Sequence, residues 1–146
     1  MDTPQELKAR ALRYLVRREH SRDELSRKLA PHAESPEILE GTLNWLESTN
    51  KLSNQRFAEV RTRQLARKYG AARIRQDLKA KGIDDYPVSA AGELERARAI
   101  LARKYREPAT SREEHARRAR FLQSRGFSYD TIRALGLSGS TNFSEE

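Results

Sequence analysis

The sequence predicts an all-α protein: a tandem array of three three-helix units, the third truncated, with an elongated and curved body. Three observations lead there. Apolar residues recur at helical spacing, and no stretch alternates long enough to build a sheet. Helix starts carry Ser or Thr with Glu three residues later, and helix ends carry Gly or Asn. The resulting pattern runs its course and then restarts twice.

Taken in order, Thr3-Pro4-Gln5-Glu6 joins an N-cap, a proline at the first helical position and a capping-box Glu. The helix that follows sets Leu7, Ala11, Tyr14 and Leu15 on one face. Ser21 with Glu24 opens a short second helix bearing Leu25 and Leu29, closed before Pro31. Ser35-Pro36 opens a third, with Leu39, Leu43 and Leu46 beside Trp45, and Asn50 suits its C-terminal turn. The first restart begins near Asn54 with Phe57, Ala58, Leu65 and Tyr69, ending at Gly70. A helix from about Ala71 to Lys81 carries Ile74 and Leu78 and stops at Gly82. Past the turn Asp84-Asp85-Tyr86-Pro87 lies a longer helix with Leu94, Ala97, Leu101 and Tyr105, its start weakened by Gly92. After a polar linker, Arg106 to Thr110, Ser111 and Glu114 form another capping box, leading a helix with Ala116, Ala119 and Leu122 that ends at Gly126. Ser128 caps a last short helix with Ile132 and Leu135, terminated by Gly136.

Laid over one another, the restarts align Leu15, Leu65 and Leu122; then Ser21, Gly70 and Ser128; then Leu25, Ile74 and Ile132. The expected units are residues 1–53, 54–105 and 111–136, with 137–146 a disordered tail. Such small units bury little surface alone and lean on their neighbours, which suits a long partner such as a nucleic acid or a filament.

Composition narrows the function. Leu, Ile, Val and Phe make up 28 of 146 residues, so the core is thin and rests on Leu and Ala. With no cysteine, disulfides and thiolate metal sites are excluded. No 18-residue apolar run exists, and MDTPQELKAR reads as a helix start rather than a targeting segment, so a soluble cytoplasmic protein without membrane contact is expected. His20, His32 and His115 are scattered, His20 reading as a turn residue. The glycines mark helix ends rather than a phosphate loop, and the serines are caps. Neither a catalytic site nor a cofactor or metal site is predicted. Phe57, Tyr69, Phe121 and Phe127 could stack on bases, but aromatics at helical spacing beside Leu read as core, as does Trp45.

The charge is segregated. Residues 1–50 carry 8 bases and 9 acids, residues 51–83 carry 10 and 2, and residues 84–146 carry 11 and 10. The whole excess of the +8 chain therefore lies in the first two helices of the middle unit. On a helix, Arg63 and Arg67 fall within about 20° of Arg56, away from the Phe57 and Leu65 face, and Arg75 and Lys79 stand one turn apart. With 22 Arg against 7 Lys, such a stripe suits phosphates or an acidic protein groove.

Three stretches resemble the signatures of the RecX family: Ala11–Leu29 (ALRYLVRREHSRDELSRKL), Lys68–Ile83 (KYGAARIRQDLKAKGI) and Phe121–Ile132 (FLQSRGFSYDTI). They stand in the family's order and spacing, and the resemblance runs from about residue 8 to 135. The matching positions are mostly core, cap and turn: Leu15, Ser21, Glu24 and Leu25; Phe57, Ala58, Gly70, Ile74, Leu78 and Gly82; Gly126, Phe127 and Ile132. Arg17 and Arg18 match as well. Where the family usually has Leu-Asp-Asp, this chain has Leu52-Ser53-Asn54; Ser and Asn still cap a helix, but any partner contact through those carboxylates is put in doubt. A monomer is expected, and the resemblance implies a non-catalytic regulator that binds the RecA–DNA filament. It further implies inhibition of RecA's recombinase and coprotease activities, modulation of recombinational DNA repair and the SOS response, and some affinity for single- or double-stranded DNA. Joined to the charge pattern, it makes Arg56, Arg63, Arg67, Lys68, Arg73, Arg75, Lys79 and Lys81 the candidate contacts to DNA or the filament. The alternative is a helix-turn-helix-like DNA-binding protein acting without RecA.

Overall fold

The structure of the chain, a computed structural model, describes residues 1–137, which form helices and loops and no strand. The helices are α1 (Pro4–Arg17), α2 (Arg22–Leu29), α3 (Pro36–Ser48), α4 (Asn54–Leu65), α5 (Ala71–Ala80), α6 (Glu93–Lys104), α7 (Arg112–Ser124) and α8 (Tyr129–Ala134), with a 3₁₀ turn at Ala30–His32. They form two compact units. One comprises Met1–Arg61 and Leu78–Tyr86; the other comprises Thr62–Asp77 and the chain from Pro87 onward.

In the first unit the caps decide where helices begin. Thr3 Oγ1 accepts the Glu6 amide while the Glu6 carboxylate accepts the Thr3 amide, and Ser21 with Glu24 repeats the exchange. Ser35 caps α3 through the Ile38 amide. Each cap starts its helix in phase, so that Leu7 and Ala11 of α1, Leu25 and Leu29 of α2, and Leu43 and Leu46 of α3 form one core with Leu52. All are at most 2% exposed, and burying a leucine of this kind contributes about 1.5–3 kcal/mol. Tyr14, Leu15 and Trp45 pack around that core. Asn50 ends α3 at φ 62°, which lets the Lys51 amide reach back to the Leu46 carbonyl at 2.8 Å. The two residues that depart from the family pattern both act as caps. Ser53 Oγ accepts the Arg56 amide at the start of α4, and Asn54 Oδ1 accepts the Arg22 amide, closing the first turn of α2 from 32 residues away.

The second unit has its own core. Ala97 and Ile100 of α6 meet Ala119 and Leu122 of α7, Phe127, Ile132 of α8, and Leu137. Its helices α7 and α8 are capped by Ser111 and Ser128. In the Ser111 cap the Glu114 carboxylate turns to the amide and hydroxyl of Thr110 instead of returning to Ser111. Helix α6 shares this core with α7 and α8, which gives the C-terminal group three helices. Its first residue, Glu93, is buried, and its carboxylate accepts the Ser128 amide at the head of α8. The helix begins only at Glu93 because Gly92, at φ 77°, takes the left-handed conformation just before it. Leu137, the first residue of the expected tail, is 5% exposed, and its amide reaches the Ile132 carbonyl. The rest of that expected tail, 138–146, lies outside the described residues.

Within this unit the turn before α5 and the turn before α8 come into backbone contact. The Gly70 amide donates to the Arg125 carbonyl at 2.7 Å, and the Ala72 amide to the Gly126 carbonyl at 3.2 Å. A Cβ on Gly70 would sit 2.4 Å from the Gly126 carbonyl oxygen, so glycine is required there by proximity.

Candidate nucleic-acid interface on the second unit

The eight basic residues predicted from the sequence divide into three groups. Arg56 is tied into the fold: its Nε donates to the Glu19 carboxylate at 2.9 Å, and its two terminal nitrogens donate to the side chain and carbonyl of Asn50. Arg73 is also engaged, donating to the Ser124 carbonyl at 3.0 Å with its guanidinium 4.5 Å from the Tyr69 ring centre. Lys81 is half-buried and has an interaction of its own. Arg63, Arg67, Lys68, Arg75 and Lys79 are exposed.

Arg63 and Arg67 face a cleft in the second unit. Helix α4 proper ends at Leu65, but the Ala66 and Tyr69 amides still donate four residues back. The backbone therefore keeps its helical sense, and Arg67 stays on the side of Arg63. Across from them run Arg96, Ala99, Ile100 and Arg103 of α6; with Ala66 these residues line an open cleft of about 220 Å³. Arg96 and Arg103 are seven residues apart and so lie on one face of their helix. Arg103 donates to the Arg67 carbonyl at 2.9 Å, which fixes it against the end of α4. Arg96 is half-buried, and its Nε is buried with no hydrogen-bond partner.

The aromatics fall on both sides of the sequence expectation. Phe57 and Phe127 are buried, and Trp45 packs on the first core with Lys8 and Lys51 over its ring. Tyr69, Tyr105 and Phe121 are half-buried and interleaved with cations. Arg125 lies over both Tyr69 and Phe121, Lys104 over Phe121, and Arg118 4.3 Å from the Tyr105 ring centre, with Tyr105 edge-on to Phe121. Each such pair contributes about 0.5–1 kcal/mol where exposed.

His20 is a buried turn residue in the first unit, 1% exposed. Nδ1 lies 3.1 Å from the Arg18 carbonyl and Nε2 2.8 Å from Lys28 Nζ. A carbonyl only accepts and an ammonium only donates, so the ring is neutral, protonated at Nδ1. Burial holds its pKa below the ordinary value, helped by the charges of Arg18 and Lys28, while the Arg18 carbonyl and Glu24 oppose the shift. Among the described residues, no group of three or more His, Cys, Asp or Glu stands where it could hold a metal ion, and no helix is long and apolar enough to cross a membrane.

Tandem three-helix domains bearing an arginine-rich face define a class of helical repeat protein. Family models for the first, second and third three-helix domains of RecX match residues 8–46, 53–91 and 91–135. The chain is 46% identical over 136 residues to the regulatory protein RecX of Herbaspirillum seropedicae, covering 89% of this chain and 88% of that one. It is 48% identical over 131 residues to the regulatory protein RecX of Ralstonia nicotianae, covering 86% and 82%. The crystal structure of RecX from Lactobacillus salivarius superposes with a TM-score of 0.78 at 23% identity, over 94% of this chain and 96% of that one. This chain belongs to the RecX family.

Proposed function

We propose that the chain is a non-catalytic cytoplasmic regulator that binds the RecA–DNA filament as a monomer and inhibits RecA's recombinase and coprotease activities. It would thereby modulate recombinational repair and the SOS response. The observation that carries this reading is the run of three RecX three-helix domains over residues 8–135, in a chain 46% identical to a protein named as regulatory. The exposed cations Arg63, Arg67, Lys68, Arg75 and Lys79 support it, since a charged filament of protein and DNA attracts such a surface. Inhibition requires only that the protein bind one filament state more tightly than another. The test is RecA ATPase and strand exchange on single-stranded DNA with substoichiometric additions of the chain. Both rates should fall, and unchanged rates at every ratio would refute the proposal.

The arginine cleft favours a second reading, direct DNA binding without RecA. Replacing Arg63, Arg67, Arg75 and Lys79 together by Glu separates the two. A DNA-only protein loses its affinity, and the slope of log K against log salt shrinks by about 3–4. A filament regulator retains RecA inhibition through its other surfaces.

A further inference from the structure

The cleft between the end of α4 and α6 combines three features. Four arginines line it, Arg63, Arg67, Arg96 and Arg103, with Ala66, Ala99 and Ile100 as its apolar surface and no carboxylate among the lining residues. Like charges gathered this closely repel one another unless an anion sits among them. The second feature is the Arg96 Nε, a buried N–H donor without an acceptor. A buried donor left unpaired is destabilising, which favours a turn of the Arg96 guanidinium that brings its donors to an oxyanion in the cleft. The third is preorganisation, because Arg103 is already fixed by the Arg67 carbonyl. The cleft is small, about 220 Å³ against the ~300–1,000 Å³ usual for drug-sized ligands, and it is open to solvent, so it suits one charged group of a longer chain.

We propose that this cleft is a phosphate pocket that holds one backbone phosphate of a nucleic acid strand, with the Arg96 guanidinium among its donors. Guanidinium forks pair with carboxylates as well as phosphates. The combination of several forks with an apolar wall favours the phosphodiester, whose oxygens take the guanidiniums while the attached sugar lies against Ala66, Ala99 and Ile100. Exposed Lys68 and Arg75 of the same unit add to the field that draws the strand in. The inference deepens the function proposed above and rests on it for the identity of the partner.

The test measures binding of the full chain to a fluorescent oligothymidylate and to a duplex of equal length, at several salt concentrations. Arg96→Met keeps the apolar stem and removes the donors. Ala99→Glu, at an exposed helical position, leaves every arginine in place and puts a carboxylate into the cleft. Each should weaken binding about five- to tenfold and lower the salt slope by about one. Arg98→Gln, on the same helix but paired with Glu95 and absent from the cleft, should bind like the parent. Weakening on one of the two DNA forms alone identifies which strand architecture supplies the phosphate and supports the pocket. If Arg96→Met fails to fold by circular dichroism, Ala99→Glu decides. Parental affinity and slope in Ala99→Glu overturn the proposal, as does an unmutated chain with no affinity for either DNA. Polyglutamate competing as well as DNA of equal charge also overturns it, since the cleft would then take carboxylates. RecA inhibition is measured in parallel. Lost DNA affinity in the variants of a chain that never inhibits RecA supports the pocket and sinks the regulatory reading; inhibition with no variant effect on DNA binding does the reverse.

Discussion

At the scale of single residues, chemistry within four positions was legible in the sequence and chemistry across the fold was not. Thr3, Ser21, Ser35, Ser111 and Ser128 all cap helices, because a cap needs only its own hydroxyl and an amide three residues on. Arg56 reads locally as one more cation of a surface stripe; its acceptor Glu19 lies 37 residues away and carries no local signal. His20 shows the same gap. Its position in a turn is evident from the caps around it, but its burial and its contact with Lys28 are not. A measurable consequence follows. The unfolded chain takes up the proton near the ordinary value of 6.5, and the folded chain only at lower pH. Stability present above 6.5 is therefore lost as pH falls through the folded value. Protonation would make Nε2 a donor facing the Lys28 ammonium, with Arg18 adjacent and only Glu24 to compensate. Urea unfolding midpoints should drop between pH 7 and 5, and His20→Gln should remove the part of that slope due to the imidazole. A pH profile identical in the variant would show that His20 is not its source.

At the scale of elements, helix identity followed from periodicity, and the departures have particular causes. Helix α6 starts at Glu93 rather than soon after Pro87 because Gly92 adopts φ 77°, a conformation that periodicity does not report. Its arginines carry no sequence signal for another reason. Residues 84–146 are nearly balanced in charge, and a tally cannot show that Arg96 and Arg103 share a face turned to Arg63 and Arg67. The contact between the α4–α5 and α7–α8 turns gives a sharper prediction. Gly70→Ala drives a methyl against the Gly126 carbonyl, and should cost about 1–3 kcal/mol by the usual penalty of overpacking. Gly126→Ala adds the penalty of a left-handed backbone at φ 90°, about 1–2 kcal/mol, to a clash with Arg73. Gly41→Ala, where an added Cβ meets nothing within 4 Å, should be neutral or stabilising. Denaturant midpoints of the three variants would rank them, and equal midpoints for Gly70→Ala and Gly41→Ala would contradict the packing described.

At the scale of the whole molecule, the divisions by sequence and by compactness do not coincide. The second family domain spans residues 53–91. Of its buried residues, Phe57, Ala58, Leu78 and Ile83 belong to the first compact unit, and Ala71 and Ile74 to the second. This arrangement was not readable from the repeat, which aligns copies but says nothing of which side chains share a core. A peptide of residues 53–91 is short, lacks cysteine and loses both groups of neighbours, so it should show little helix and no cooperative melt. Far-ultraviolet circular dichroism decides the matter, and a cooperative transition in that peptide would count against the division.

Duplicated units ordinarily acquire a freedom that single copies lack: one can drift while the other holds the ancestral form. The meeting of Gly70 with Gly126 withdraws that freedom at one point. A Cβ on Gly70 would meet the Gly126 backbone, and one on Gly126 would meet the Arg73 backbone and Cβ, so neither position can accept a side chain by trimming a larger one opposite. A random library at both positions, selected for folding, should therefore return glycine at each, leaving the two turns fixed in sequence where they touch.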